Sequence, residues 1–292
     1  IDIKKNKDKS VLKYEKKFSK LNNIKNKDIK FTKLEINKIL KKLDSKTKKS
    51  IDLAFARIYN FHKKQKTANF TTTDRHKNKL SYFSSPISKI GVYVPGGTAS
   101  YPSSVLMNCI PAIIAGVKNI YMTTPALNKS ENPGVIYAAT KCKVKEIYKL
   151  GGAQAIAALA YGTSIVKKVD KIVGPGNEYV ALAKKEVFGS VGIDMIAGPS
   201  EITIIGDISC NPEWVAADLL AQAEHDTYSQ SIFIGSSKKI ISKVNESLKN
   251  QIKDLPKKKI AIQSLKNFGI SVLASKKNKI ADIVNYIAPE HL

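Results

Sequence analysis

An acid and an imidazole stand side by side near the end of the sequence, at Glu290 and His291. Pro289 precedes them and predicts the end of a helix, so the pair is expected on a loop. A carboxylate next to an imidazole is a common device for moving protons near neutral pH. Adjacent Glu and His residues also occur by chance in many proteins, so the pair alone does not specify a reaction.

Gln222 and His225 are three residues apart near the C-terminus of a helix predicted over residues 212–225. This spacing places both side chains on one face of the helix. Histidine is the commonest protein ligand of metals, whereas a glutamine amide oxygen is a weak one. Taken alone, His225 also fits an ordinary histidine satisfied at the surface or in the core. Two ligands cannot hold zinc tightly, so a metal site here needs partners from elsewhere.

Three glycine-rich turns follow predicted strands and precede predicted helices. They contain Gly96 and Gly97, Gly151 and Gly152, and Gly174 and Gly176. Such turns let a backbone approach a phosphate while helix N-terminal amides face it. The last turn continues to Tyr179 where a dinucleotide-binding fingerprint has its third glycine, so a standard Rossmann clamp is not supported. Glycine is also ordinary at strand ends, and only the repetition favours a nucleotide site.

Short apolar runs rich in Val, Ile and Tyr alternate with helical patterns from residue 90 onward. Strands are predicted at 90–94, 119–124, 144–150, 171–173, 202–206, 231–235 and 271–273. Helices are predicted at 104–116, 153–161, 177–188, 212–225 and 238–255. This alternation predicts an α/β fold with parallel sheets covered on both faces.

Seven strands exceed what one small sheet needs, so we expect two incomplete Rossmann-like parallel-sheet units, one inserted into the other. The first domain would join residues 1–88 to residues 201–292, and residues 89–200 would form the second. A capping box at Thr32 and Glu35 begins an expected antiparallel pair of N-terminal helices. The polar, lysine-rich first 30 residues fit either a helix that packs on another surface or a loose segment.

The net charge of +25 raises the question of a nucleic-acid partner. Only Arg57 and Arg75 are arginines, so 47 of the 49 basic residues are lysines. Nucleic-acid readers usually need the planar fork of arginine. Because the lysines are also dispersed, we predict solvated lysine surfaces and no nucleic-acid partner. A basic protein that binds RNA or a membrane surface stays as an alternative.

Other compositional features argue against membrane insertion and secretion. The most apolar run, residues 105–117, contains Asn108 and Pro111 and is too short to span a bilayer. The first residues lack the apolar stretch of a signal peptide. Three scattered cysteines fit a reducing, cytoplasmic environment; they are Cys109, Cys142 and Cys210.

Six motifs occur in an order and spacing that resemble the histidinol dehydrogenase family. They are IGVYVPGG, GGAQAIAALAYGT, VDKIVGPGN, IDMIAGPSE, LLAQAEHD and IAPEHL. The resemblance extends from about Lys33 to the last residue and is strongest from Ile90. It implies oxidation of L-histidinol through histidinal to L-histidine with two NAD, a Zn²⁺ ion, a cytoplasmic homodimer and no membrane partner. An NAD-dependent relative acting on another amino alcohol is a further alternative.

The resemblance also assigns roles to eight positions of this sequence. It implies NAD contacts at Tyr93, Gln154 and Asn177, a substrate contact at Ser200, zinc and substrate contacts at Gln222 and His225, and proton transfer at Glu290 and His291, the latter also contacting substrate. Family members continue past the Glu-His pair, where an aspartate and a histidine complete the zinc site, the histidine coming from the partner subunit. We therefore expect a chain cut at Leu292, and at its N-terminus too, to bind zinc weakly and to turn over histidinol poorly or not at all.

Overall fold

The computed structural model describes residues 1–19, 23–96, 101–126, 131–196 and 198–292. Contacts divide the chain into two compact units, Ile1–Ile196 and Ala197–Leu292. Each unit contains a parallel β-sheet with helices packed against it, which confirms the predicted α/β class.

The elements alternate along both units. The helices of the first unit are α1 (Asp2–Ser19), α2 (Lys33–Leu40), α3 (Ser45–Lys63), α4 (Pro102–Ala115), α5 (Pro133–Lys141), α6 (Gly152–Tyr161) and α7 (Glu178–Val187). Its strands are β1 (Phe70–Thr73), β2 (Lys79–Tyr82), β3 (Lys89–Tyr93), β4 (Asn119–Thr123), β5 (Glu146–Tyr148), β6 (Lys171–Val173) and β7 (Gly192–Ile193). The second unit has β8 (Glu201–Gly206), α8 (Pro212–Ala223), β9 (Gln230–Gly235), α9 (Lys238–Gln251), α10 (Lys258–Phe268), β10 (Gly269–Leu273) and α11 (Lys277–Ile287).

The first unit is built on a five-stranded parallel sheet with the order β5-β4-β3-β6-β7. Its central strand, β3, alternates its side chains between two apolar cores. Ile90 and Val92 belong to the core with α4 and α5, whereas Tyr93 belongs to the core with α6 and α7. The strand order reverses between β3 and β6, and the carboxyl ends of strands at such a reversal form the usual ligand crevice of open α/β sheets.

The N-terminal helices pack within the first unit. The capping box predicted at α2 is confirmed: Glu35 N–H donates to Thr32 Oγ1 at 3.2 Å, and Thr32 N–H donates to Glu35 Oε2 at 2.7 Å. Both α2 and α3 pack against α5, and α3 also packs against α4. The lysine-rich N-terminus forms α1, which packs against α6 and is interrupted at Lys7 by a positive φ of 47°. Of the two expectations for this segment, the helix is the observed one.

The second unit has a three-stranded parallel sheet with the order β10-β9-β8. The central strand again serves two cores, because Phe233 packs with α8 and α9 while Ile232 and Ile234 pack with α11. Trp214, the sole tryptophan of the chain, lies near the start of α8 with 74% of its surface exposed.

The seven predicted strands are all present, with ends within two residues of the prediction. Several elements were not predicted: the hairpin of β1 and β2, the short strand β7, and helices α5 and α10. The helix expected to end before Pro289 is α11. The hairpin is exposed on both faces, so it lacks the alternating apolar pattern that predicts a strand. Within the described residues, α2 and α3 pack in the first unit, and a discontinuous domain joining 1–88 to 201–292 stays a prediction.

The structure contains no described helix of the length and apolar character that crossing a membrane requires.

Candidate active site

Tyr93 ends β3 at the strand reversal of the first sheet and is 4% exposed. Its hydroxyl accepts a hydrogen bond from Gly152 N–H at 3.0 Å, which joins the end of β3 to the start of α6. Burial raises the pKa of Tyr93, and the nearby charge of Glu15 acts in the same direction. The phenol therefore stays protonated and keeps its own O–H available as a donor.

Gln154 lies in the first turn of α6 and is 6% exposed. Its Nε2 donates to Glu15 Oε2 at 2.9 Å, a bond between α1 and α6. Gly152 has φ +60°, and a Cβ there would lie 3.0 Å from Gln154 Oε1. The glycine thus gives the turn its left-handed conformation and leaves room for the glutamine amide.

Gly174 follows β6 and touches the end of β3. Its φ is +112°, and a Cβ would lie 2.1 Å from Tyr93 O, so no other residue fits without moving the backbone. Asp194 accepts a hydrogen bond from Gly174 N–H at 2.8 Å. Lys184, which is 4% exposed, donates to Gly174 O at 2.5 Å and to Asp194 Oδ1 at 2.6 Å. An ion pair between the buried Lys184 and the more exposed Asp194 therefore holds this turn through both its N–H and its carbonyl.

Asn177 caps the N-terminus of α7, where its Oδ1 accepts from Val180 N–H at 3.2 Å. The cap fixes the side chain three residues after Gly174. The structure thus brings Tyr93, Gly152 and Gly174 together at the strand reversal, with Gln154 in the first turn of α6 and Asn177 at the N-cap of α7. Gly96 also borders a tight turn, since a Cβ would lie 3.0 Å from Pro125 O. The expectation for Gly97 lies outside the described residues.

In the second unit, His291 joins the edge of β8. Its backbone N–H donates to Glu201 O at 3.2 Å, and its carbonyl accepts from Thr203 N–H at 2.9 Å. The ring Nδ1 lies 3.1 Å from Glu201 O. The Glu290 carboxylate is 3.8 Å from the same ring nitrogen. Both side chains are more than half exposed, so the acid and the imidazole predicted to move protons are adjacent and accessible.

Gln222 lies in the last turn of α8 and is 9% exposed. Its Nε2 is buried and has no hydrogen-bond partner among the described residues. The helix ends at Ala223, so the prediction that His225 is helical is wrong. His225 instead lies in the following turn and donates its backbone N–H to Gln222 O at 3.1 Å, which still keeps the two residues adjacent.

Three features of the second unit lie at the end of its sheet where the strands β8 and β9 begin. Because α8 connects two parallel strands, it runs antiparallel to them, and its C-terminus returns to the edge where β8 and β9 begin. Ser200 immediately precedes β8, and its carbonyl accepts from Gln230 N–H at 3.0 Å. His291 pairs with Ile202, the second residue of β8, so it also lies near the start of this strand. By the topology of the sheet, Ser200, His291 and the C-terminus of α8 therefore all lie near the start of β8.

No cluster of three or more His, Cys, Asp or Glu side chains suited to a metal exists in the described parts of the chain. Gln222 and His225 supply at most two donors, an amide oxygen and an imidazole nitrogen. The imidazole is an ordinary zinc ligand and the amide oxygen a weak one, so they could fill two positions of a zinc site at most. The buried Nε2 of Gln222 without a partner is a donor, so it indicates a hydrogen-bond acceptor that the described residues do not supply, because a buried polar group without a hydrogen bond is costly.

Sequence reasoning did not identify Glu15, Lys184 or Asp194 as parts of these sites. Lys184 was grouped with the solvated lysines, yet it is buried beside the turn after β6. Glu15 lies in a lysine-rich segment with no motif, and its partner Gln154 is 139 residues away in the sequence. The signal available for Lys184 was its position one helical turn past the apolar Val180. For Glu15 there was none.

Comparison with known proteins places these features in a family. The family profile described as histidinol dehydrogenase matches residues 1–292. The histidinol dehydrogenase of Pelagibacter ubique is 58% identical over 292 residues, which cover 100% of this chain and 67% of that protein. The one from Clostridium acetobutylicum is 46% identical with the same coverage.

A solved structure agrees with the sequence comparisons. The crystal structure of histidinol dehydrogenase from Elizabethkingia anophelis matches with a TM-score of 0.93 at 40% identity, covering 100% of this chain and 67% of that one. The chain thus spans about two thirds of the length of these relatives. The resemblance carried by the six motifs is confirmed, and the chain belongs to the histidinol dehydrogenase family of oxidoreductases of histidine biosynthesis.

Proposed function

We propose that the full-length protein oxidises L-histidinol through histidinal to L-histidine, reducing two NAD. The observation that supports this proposal is that Ser200, His291 and the C-terminus of α8 all lie near the start of β8 in the second sheet. It brings a hydroxyl, an accessible imidazole and two candidate zinc ligands into one region. Oxidation of an alcohol to an acid needs a base for the hydroxyl proton and a second proton acceptor for water.

His291 is the proposed base for the alcohol. A carbonyl oxygen can only accept hydrogen bonds, so the contact with Glu201 O requires a proton on Nδ1. In the neutral ring this leaves the lone pair on Nε2. His291 Nε2 then takes the hydroxyl proton as the alcohol carbon loses its hydride.

Glu290 is the proposed base for the second oxidation. His291 first releases the alcohol proton to solvent. The exposed Glu290 carboxylate takes a proton from water as the water oxygen bonds to the aldehyde carbon, and His291 takes the remaining hydroxyl proton as the second hydride leaves. The products are then a carboxylate, two reduced cofactors and three protons, which balances both two-electron steps. NAD, when bound, supplies the acceptor for each hydride.

The proposed NAD contacts are Tyr93, Gln154 and Asn177. Their support is the crevice at the strand reversal, where Tyr93 and the turns at Gly152 and Gly174 meet. The buried tyrosine offers an aromatic face and an O–H, and the two amides both donate and accept. Helix N-termini at α6 and α7 face the same turns and favour anionic groups.

The proposed zinc ligands within this chain are Gln222 and His225, with Ser200 and His291 contacting substrate. Zinc, when bound, orients the substrate and polarises it. The other two ligands, together with the proposed homodimer and cytoplasmic location, are implied by the family resemblance. A chain with only these two ligands should bind zinc weakly.

The test uses the full-length protein loaded with zinc. It should form two NADH per L-histidine from L-histidinol, and little NADH from amino alcohols that lack an imidazole. Equal rates with such amino alcohols would contradict the assignment of the substrate. Binding of RNA that matches the affinity for NAD at physiological salt would favour the basic-surface alternative.

A further inference from the structure

Glu15 is a buried acid that the proposed chemistry does not use. It lies on α1 and is 2% exposed. Its Oε2 accepts from Gln154 Nε2 at 2.9 Å, its Oε1 accepts from Ser19 Oγ at 2.6 Å, and the Gly151 backbone adds a further hydrogen bond. Three donors therefore surround the carboxylate at the turn that precedes α6.

Burying a carboxylate at this position costs free energy, so we expect its hydrogen bonds to serve a function. Burial raises the pKa of Glu15, although the hydrogen bonds from Gln154, Ser19 and Gly151 oppose the shift. None of the described lysines and arginines forms an ion pair with it. Among the described residues its donors are neutral, and a buried carboxylate held by neutral donors is less favourable than a glutamine at the same place.

The carboxylate decides which end of the Gln154 amide faces the turn. A carboxylate only accepts, so it binds the NH₂ end and excludes the oxygen end. Gln154 Oε1 then lies on the side of Gly152, whose N–H in turn binds the hydroxyl of Tyr93. The amide and the phenol, two proposed NAD contacts, are thus arranged around one glycine.

We propose that Glu15 is a positioning residue for NAD binding, which fixes the amide of Gln154 in one orientation and so makes helix α1 part of the cofactor site. This inference rests on the proposed NAD contact of Gln154. Glu15 itself acts through Gln154.

Two substitutions separate the hydrogen bond from the bulk of the side chain in the full-length protein. Glu15→Met keeps the volume but removes the acceptor, and the dissociation constant for NAD should rise about tenfold, as expected for loss of one hydrogen bond to a charged group. Glu15→Gln keeps an acceptor oxygen, and the constant should stay within about threefold of the wild type. The KM for L-histidinol should not change in either variant. Lys16→Ala, on an exposed neighbouring position of α1, is the control and should bind NAD normally.

A double-mutant cycle tests whether Glu15 works through Gln154. Binding of NAD is measured by calorimetry for Glu15→Met, Gln154→Ala and the double variant, with thermal unfolding as a check on folding. In the double variant, Glu15→Met should not weaken NAD binding beyond the effect of Gln154→Ala alone. An additive loss would overturn the positioning role, and so would normal NAD binding by Glu15→Met when Gln154→Ala binds poorly. If Gln154→Ala binds NAD normally, the proposed NAD contact itself fails, which is a separate result.

Discussion

His291 Nδ1 lies 3.1 Å from the backbone carbonyl oxygen of Glu201. The backbone of His291 also pairs with β8, so both the ring and the main chain of this residue are tied to one strand edge. The contact selects the tautomer with a proton on Nδ1 and leaves Nε2 as the accepting nitrogen. The exposed imidazole of His291 therefore has one defined accepting nitrogen.

Replacing the imidazole should stop turnover without disturbing binding. In His291→Asn of the full-length protein, the side-chain amide can still donate to Glu201 O, while the accepting Nε2 is lost. We expect kcat to fall by about a thousandfold, within the usual contribution of a general base. Zinc content and the dissociation constant for NAD should match the wild type. A decrease in kcat of less than about tenfold would rule out His291 as the base.

Gln222→Ala should reduce metal content without unfolding the protein. The amide of Gln222 has no hydrogen-bond partner in the described structure, so its removal breaks no internal bond. Zinc measured by elemental analysis after dialysis should decrease, while the thermal midpoint of the metal-free protein should stay the same or rise. Gln263→Ala on α10 is the matched control and should keep full zinc content. Normal zinc content in Gln222→Ala would contradict its assignment as a ligand.

Gly174→Ala tests the contact between the turn after β6 and the end of β3. A Cβ would lie 2.1 Å from Tyr93 O and the backbone has φ +112°, so we expect a loss of about 3 kcal/mol in the free energy of unfolding. Gly189→Ala is a close control, with φ +90° but nothing within 4 Å of the added Cβ. It should lose only about 1 kcal/mol, from the backbone conformation alone. Denaturant unfolding measures both, and equal losses would show that the close contact is relieved easily.

Lys184→Met should destabilise the turn that Lys184 holds. The substitution leaves Asp194 without its buried cation and Gly174 O without its donor. Asp194 is accessible to water, so we expect a loss of about 2 kcal/mol in the free energy of unfolding, as for lost hydrogen bonds to a charged group, together with weaker NAD binding. Lys279→Ala breaks an exposed pair with Asp282 and should leave the stability unchanged. A Lys184→Met protein as stable as the wild type would mean that the pair of Lys184 and Asp194 contributes nothing to the free energy of unfolding.

Glu15 predicts a specific dependence of stability on pH. Its pKa in the folded protein is raised by burial above the ordinary value of 4.5. The folded state therefore binds this proton more tightly than the unfolded state. The resulting stability is present below the ordinary pKa and is lost as the pH rises through the raised one. Compared with Glu15→Gln, the wild type should lose unfolding free energy as the pH rises from the ordinary pKa of 4.5 towards neutrality. A difference that stays constant over this range would contradict the raised pKa.

The strands that the sequence predicted share one property. Runs such as residues 90–94 and 231–235 are buried on both faces, so they consist almost wholly of apolar residues and glycine. The missed hairpin lacks that signal. Its first strand, β1, is a run of exposed Thr residues after Phe70. Elements that bury little apolar surface leave little periodicity in the sequence.

The candidate sites divide in the same way. Residues in glycine turns or adjacent pairs, such as Asn177 and His291, belong to motifs that the sequence displays. Glu15 and Lys184 serve their sites through contacts made only after folding, and each comes from a lysine-rich or ordinary helix. The burial of such a charged side chain, and the partners it has in the folded chain, cannot be predicted from local spacing. The prediction that lysine is solvated holds for most of the chain, but Lys184 is an exception.

Trp214 lies on α8 in the second unit, and the first unit has no tryptophan. Tryptophan fluorescence, excited selectively, will therefore report on unfolding of the second unit and will not report on the first. Far-ultraviolet circular dichroism records both. Overlaying the two signals during a thermal ramp would reveal whether the units unfold together or one after the other.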